Sequence, residues 1–238
     1  MNLIFDLYGT LIRIHTDEDT KDLWHKLSLF YGYHNAVYKP EELRKKYLKH
    51  KKELLKVSHK KDEYPDLPIN PVFERLFIDK GVKENVKELS VEAARLFRLC
   101  STEYIELYPH VHEGLKMLKD AGYHLYLLSN AQAAYTVNEI KMFELDKDFE
   151  KIYLSSDYGY CKPDIRFYRE LMKDQNIKPE ECMMIGNDAN TDIQGGRNAG
   201  MKTLYVRTDM AEGIPESDYE IEGNDWKKIA QKIIKMNL

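Results

Sequence analysis

Leu3-Ile4-Phe5-Asp6-Leu7-Tyr8-Gly9-Thr10 places three consecutive apolar residues directly before an acid, with a glycine three positions beyond it. A short, wholly apolar run of this kind suits a strand buried on both faces, as in a parallel sheet. Gly9 permits a tight turn after the strand, and Thr10 suits capping of the next segment. Asp6 then sits at the carboxyl end of a buried strand, the edge at which open α/β sheets bind ligands.

The rest of the chain shows what that strand joins. After Tyr108-Pro109 helical and strand patterns alternate: a helix near 112–120, a strand at 124–128, a helix near 132–143, a strand near 151–155 and a helix near 164–174. A strand at 182–186, a helix near 190–198, a strand at 202–206 and an amphipathic helix near 225–236 complete the series. Gly122 and Gly200 each close a helix just before a strand. This alternation predicts a doubly wound, Rossmann-like parallel sheet of the α/β class.

Between about residues 17 and 106 the rhythm is helical instead. Leu23, Trp24, Leu27 and Phe30 share one face, as do Leu43, Tyr47, Leu48, Leu54 and Leu55. Pro40 with Glu41 and Glu42 suits a first helical turn, and Tyr64-Pro65-Asp66-Leu67-Pro68 breaks the chain. Two further helices are expected around 72–79 and 90–104, the second burying Val91, Ala94, Leu96, Phe97 and Ile105. The expected organisation is a core of residues 1–14 and 109–238 interrupted by a helical domain at 15–108.

With 238 residues, 43% of them hydrophobic, the chain has ample material for a packed core. Its 36 Lys and Arg against 40 Asp and Glu leave a formal charge of −4, which argues against nucleic-acid binding by overall basicity. Cys100, Cys161 and Cys182 have neither disulfide-framework nor zinc-knuckle spacing. No secretory leader and no apolar stretch of membrane-spanning length is evident, so a cytoplasmic protein is expected, with no membrane partner and an undefined oligomeric state.

Four polar clusters follow expected strand ends: Asp6, Ser129-Asn130, Lys162, and Asp188 with Asp192. A carboxylate there suits a nucleophile or metal ligand, a serine hydroxyl or lysine suits an anion, and paired carboxylates suit a divalent cation. In Phe5–Leu11, Leu127-Leu128-Ser129-Asn130, Lys162-Pro163-Asp164 and Ile185–Asp192 with the following Gly195–Met201, the chain resembles the four ordered motifs of the haloacid dehalogenase superfamily. The helical insertion resembles the cap of that superfamily's first subfamily. The resemblance implies Asp6 as covalent nucleophile, Tyr8, Ser129 and Lys162 as catalytic partners, and Thr10, Asn130 and Arg44 as substrate-binding residues. It also implies Mg²⁺ on a set drawn from Asp6, Tyr8, Asn187, Asp188 and Asp192, and a small anionic substrate.

Two departures bear on the reaction. Phosphatases of the superfamily carry a second Asp two residues after the nucleophile as general acid and base, where this chain has Tyr8. A general acid contributes about 10² to 10⁴ in rate, so its absence favours leaving groups that need no proton. Asp-x-Tyr-Gly-Thr resembles instead the metal-independent 2-haloacid dehalogenases. Against that, Asp188 and Asp192 beside Asn187 look like a retained cation site, with either Asn187 or Asp188 as direct ligand. The leading expectation is a Mg²⁺-dependent phosphatase of a small metabolite; the alternatives are a dehalogenase and a catalytically weak phospho-ligand-binding protein.

Each residue also has a plainer reading. Asp188 and Asp192 suit helix capping, Ser129 a loop cap and Lys162 a solvated lysine. Arg44 lies in a stretch, residues 39–61, holding ten Lys or Arg against three Glu, so an arginine there is close to chance and the run reads first as a solvated helix face. Cys161 reads as a small filler, because no histidine lies near it in sequence.

Overall fold

In the computed structural model, residues 1–58 and 63–236 are described; Lys60 and Lys61 of the basic run fall outside them. The chain begins with β1 (Asn2–Phe5) and β2 (Ile12–Thr16), then α1 (Lys21–Tyr33), α2 (Pro40–Ser58), α3 (Asn70–Ile78) and α4 (Val86–Ser101). It continues through β3 (Thr102–Leu107), α5 (Val111–Asp120), β4 (His124–Ser129), α6 (Ala133–Met142) and β5 (Lys151–Leu154). Next come α7 (Ile165–Gln175), β6 (Cys182–Gly186), a π-helical turn (Ala189–Ile193) and α8 (Gln194–Asn198). The series ends with β7 (Lys202–Arg207), β8 (Tyr219–Glu222) and α9 (Trp226–Lys235).

Among the described residues the main sheet has the order β5-β4-β1-β6-β7-β8, with every pairing parallel. The chain leaves β1 to build one side through β4 and β5, then returns to β1's other edge with β6. That reversal is the topological switch point at which such sheets form a ligand crevice. Phe5 is level with Leu127 on one side and Ile185 on the other, so Asp6, Ser129 and Asn187 all emerge at the same edge.

Alternation along the strands fills both faces of the sheet. Leu3, Phe5, Leu125, Leu127, Met183 and Ile185 pack with residues of α5 and α9, whereas Ile4, Tyr126, Leu128 and Met184 pack with α7. Gly114 of α5 lies so close to Trp226 that an added Cβ would come within 2.4 Å of its carbonyl oxygen. Trp226 in turn donates Nε1–H to the Thr10 carbonyl at 2.8 Å, tying the last helix to the loop after β1.

The inserted helices α1–α4 hold a separate apolar cluster. At its centre Trp24, Tyr47, Phe73 and Phe97 pack with ring centroids 5.2 to 5.8 Å apart, the spacing of tilted and edge-on aromatic pairs. Among the described residues no helix is long and apolar enough to cross a membrane.

Three sequence expectations are corrected. The helix expected to reach Tyr104 stops at Ser101, and Thr102–Leu107 forms a strand antiparallel to Ile12–Thr16, Ile12 facing Leu107 and Ile14 facing Ile105. Ile105 therefore packs on the main-sheet cluster rather than on the inserted helices, while Ala94 and Phe97 are buried as expected. Val91 and Leu96 are only partly covered. The edge strand β8, absent from the sequence reading, extends the sheet beyond β7.

Candidate active site

The loop after β1 is held by its own backbone and by β6. Asp6 N–H donates to the Ile185 carbonyl at 2.9 Å, and the Leu7 carbonyl accepts from Leu11 and Ile12. Gly9 has a φ of +80°, and a Cβ there would meet the Asn187 amide at 2.3 Å, so only glycine admits this approach. The Thr10 hydroxyl donates to Asn187 Oδ1 at 2.9 Å and lies 3.3 Å from Asp6 Oδ2. Those two oxygens therefore converge on one hydroxyl, on one side of Asp6.

On Asp6's other oxygen stands Lys162. Its ammonium is buried and donates to Asp6 Oδ1 at 2.7 Å and to Asp192 Oδ1 at 2.6 Å. Burial alone would lower the lysine pKa, but the two carboxylates outweigh it and hold it above the ordinary value. Asp192 feels the reverse balance: burial and nearby Asp6 push its carboxyl up to about 7 despite Lys162. Gly186 makes room for this acid, since a Cβ there would sit 2.2 Å from its Oδ2. Asn130 brackets the lysine, accepting from Lys162 N–H at 2.7 Å and donating to its carbonyl at 3.0 Å.

Ser129 is the next element of the site. Its Oγ is buried and, among the described residues, has no hydrogen-bond partner. A buried hydroxyl without a partner costs about 1 to 3 kcal/mol, so one at the end of β4, the strand paired with Asp6's β1, marks a position for an absent acceptor.

Asp188 does not join this group. Its Oδ1 accepts from the N–H groups of Asn190 and Thr191 at 2.8 and 3.3 Å, and its Oδ2 from the Thr191 hydroxyl at 2.8 Å. The first turn of a helix leaves unpaired N–H groups, and they take this acid; capping is its role. Asn187 donates Nδ2–H to the Met210 carbonyl at 2.7 Å, which aims its oxygen at Thr10. Among the described residues no three acidic, histidine or cysteine side chains converge as a metal cluster. What the site does offer a hard cation is oxygen: Asp6 Oδ2 and Asn187 Oδ1 on the side away from Lys162. Mg²⁺ commonly takes one or two protein carboxylates and completes its shell with waters and substrate phosphate, so this donor set fits it.

Beside these groups opens a cleft of about 430 Å³ between the inserted helices and the sheet edge, lined by Tyr8, Asn130, Gln132, Tyr135 and Cys161 from the core and by Asp66 and Arg98 from the insertion. Tyr8 is fixed in its wall. The phenol donates to Glu139 Oε2 and lies 2.9 Å from the Thr136 hydroxyl; burial first, and Glu139 next, push its pKa well up. Arg98 reaches from α4 to the same acid on α6, with Nε 2.6 Å from Oε1 and Nη2 3.2 Å from Oε2. Opposite, Asp66 accepts from Gln132 Nε2 at 3.0 Å, Leu67 N–H at 2.7 Å and the Ser155 hydroxyl at 2.5 Å. Burial of the Cys161 thiol pushes it up to about 11, so it is protonated at neutral pH and no nucleophile.

The structure thus brings together Asp6, Thr10, Ser129, Asn130, Lys162, Asn187 and Asp192, with Tyr8 at the margin. Arg44 is not among them: it pairs with Asp19 at 2.5 Å on the outer face of the insertion, in a separate groove beside Trp24 and Pro40. Asn130 holds the lysine loop rather than standing free for substrate. Arg98, Glu139, Gln132 and Asp66 were not singled out from sequence; the one signal was the Tyr64–Pro68 break, which delivers Asp66 to the cleft.

Comparison with known proteins identifies a family. The profile of the haloacid dehalogenase-like hydrolases matches residues 3–206. A glyceraldehyde 3-phosphate phosphatase of Methanothermobacter thermautotrophicus is 31% identical over 105 residues, 44% of this chain and 46% of that protein, so the chain spans under half the length of that relative. The pyrophosphatase PpaX of Halalkalibacterium halodurans is 28% identical over 67% of this chain and 66% of its own. In fold, a 2-haloacid dehalogenase of Pseudomonas syringae pv. Tomato superposes with a TM-score of 0.69 at 19% identity, over 99% of both chains.

Proposed function

The chain belongs to the haloacid dehalogenase-like hydrolases, and on that footing we propose that it is a Mg²⁺-dependent phosphatase of small metabolites whose leaving group departs without a proton. The observation that carries this reading is the buried, unpartnered Ser129 hydroxyl at the end of β4, whose next residue, Asn130, bonds the backbone of Lys162, the cation on Asp6: a donor and a cation at one sheet edge, as an anionic oxygen needs. That the curated relatives are named phosphatases supports it.

In the proposed reaction Asp6 attacks phosphorus through Oδ1, the oxygen on the side of Lys162, which leaves Oδ2 beside Asn187 for the cation. The phosphorus–oxygen bond to the leaving group breaks, and its electron pair departs with that oxygen. Water then attacks the phosphorus of the aspartyl-phosphate, both its protons leaving with the inorganic phosphate as the phosphorus–oxygen bond to Asp6 breaks and the Asp6 carboxylate is restored. Lys162 and Ser129 hold the non-bridging oxygens, and Asp192 orients Lys162. Asp6 Oδ2, the backbone carbonyl of Tyr8 and Asn187 Oδ1 would hold Mg²⁺, whose charge would offset the repulsion between Asp6 and a phosphate dianion.

Tyr8 sets the substrate class. Its phenol donates to Glu139 and its pKa is pushed up, so it neither takes a proton from water nor serves as a ready acid. Acyl phosphates and phosphoanhydrides leave as stabilised anions and need no such help.

A second reading, a metal-independent 2-haloacid dehalogenase, is favoured by one observation: with Asp188 drawn into the helix cap, neutral Asn187 leaves Asp6 the lone carboxylate on the cation side. Acetyl phosphate hydrolysis with and without Mg²⁺, beside chloride release from 2-chloropropionate, separates the two. Mg²⁺-dependent phosphate release is expected; chloride release insensitive to a chelator would overturn the phosphatase reading.

A further inference from the structure

Arg98 is a largely covered cation on the insertion that the proposed reaction does not use. Its Nε and Nη2 are taken by Glu139. The guanidinium carbon lies 5.2 Å from the centroid of Tyr8 and 4.9 Å from that of Tyr135, so both rings are at cation–π distance. Of its five N–H groups three are left, two of them on Nη1, which no acceptor among the described residues meets. Its side chain keeps 14% of its surface, and that surface lines the cleft.

The cleft itself says what would reach Nη1. It starts at Tyr8, Asn130 and Cys161, each within two residues of Asp6, Ser129 or Lys162, and its far wall belongs to the insertion. The other charge on that wall, Asp66, does not compete for Nη1, because both its oxygens are already bonded. A substrate phosphate at Ser129 and Lys162 would therefore extend toward a rigid, desolvated N–H edge with no acceptor of its own. A guanidinium edge of that kind suits a carboxylate.

We propose that Arg98 is a specificity-determining residue that recognises a carboxylate at the end of the substrate remote from the phosphate; this rests on the phosphatase reading of the same site. The substrate class is then a small acyl phosphate or phosphoanhydride that carries a free carboxylate at its other end. Glu139 serves to hold the guanidinium in plane and in place.

The test is calorimetric binding, in Mg²⁺ buffer, of phosphonoacetate and phosphonopropionate against ethylphosphonate and propylphosphonate, non-hydrolysable probes that differ in the carboxylate. The wild-type protein should bind at least one carboxylated probe about tenfold or more tightly than its alkyl counterpart, the worth of one charge-assisted hydrogen bond. Arg98→Met should reduce that preference to under about twofold while leaving alkylphosphonate affinity in place. Arg98→Lys, which keeps a cation for Glu139 but withdraws the planar edge, should lose preference in the same direction and guards against a misfolded Met variant. Equal wild-type affinity for the two series, or a preference that survives both substitutions, overturns the role of Arg98 and leaves the phosphatase reading standing. Binding of neither series overturns both.

Discussion

Glu139→Gln is the substitution that most sharply probes how the insertion is held over the core. Glu139 and Arg98 keep only 12% and 14% of their side-chain surface, so the pair is shielded from water on nearly every side. Removing one partner of a buried pair costs about 3 to 5 kcal/mol, chiefly because the remaining charge stays buried without compensation. Glutamine preserves shape and one acceptor oxygen, and Arg98 still has one nitrogen open to the cleft, which places the cost near the lower end, about 3 kcal/mol. Arg98→Met should cost about as much, since it strands Glu139 with the Tyr8 phenol. The double variant leaves no charge stranded, so it should lose no more than a single variant, at most about 3 kcal/mol rather than the summed 6, a coupling of at least about 3 kcal/mol, at the upper end of what neighbouring residues show. Urea unfolding of the four proteins, with midpoints compared at common slope, measures this. If the two single losses add in the double variant to within about 0.5 kcal/mol, the pair is not coupled and the reasoning fails.

Other expectations rest on the same geometry. Ser129→Ala removes a hydroxyl that has no partner, so it should leave thermal stability unchanged or higher while lowering turnover by about 10² or more; a loss of stability with activity intact would show the hydroxyl to be structural. Tyr8→Asp supplies a proton-transfer group and should raise the rate on alkyl phosphate esters relative to acyl phosphates, but it sets a second acid against Glu139 and should lower the melting temperature; an unchanged ester-to-acyl ratio would show that position 8 does not govern leaving-group choice. For Asp66, burial raises the folded-state pKa, so the unfolded chain releases this proton first and the acid's contribution to stability falls as pH rises through the window above the ordinary aspartate value. Asp66→Asn abolishes that dependence, and its melting temperature relative to wild type should therefore be higher at pH 7 than at pH 3.5; an equal difference at both would refute the burial argument.

Much of the site was legible because it is local. A buried run ending in Asp6, another ending in Ser129 and a third ending at Gly186 are strand signals, and a parallel sheet brings their ends to one edge whatever the residues between. The two acids at 188 and 192 were not separable that way. Which one caps depends on whose oxygens meet the free N–H groups of the helical turn, and only the backbone path after Gly186 decides it. Arg98 and Glu139 were out of reach for a different reason: helix periodicity tells inside from outside, but not that a residue on the insertion faces one on α6. Arg44 shows the same limit in reverse, since a cationic run supplies arginines without saying which one turns inward. The pair β2 and β3 was missed because Ile105 extends the apolar spacing of α4, although Thr102, Tyr104 and Ile105 are strand-favouring residues.

The central claim is that Asp6 accepts a phosphoryl group, and the fate of water's oxygen tests it most directly. A single turnover in heavy-oxygen water, with enzyme in excess over acetyl phosphate and Mg²⁺ present, is followed by mass spectrometry of the peptide carrying Asp6 and of the released phosphate. Attack at phosphorus predicts label in the phosphate and none in Asp6. Phosphate release that persists unchanged in Asp6→Asn, or label in the Asp6 carboxylate after turnover, would contradict the account, the latter because it requires water to attack the carbon of an ester on that residue.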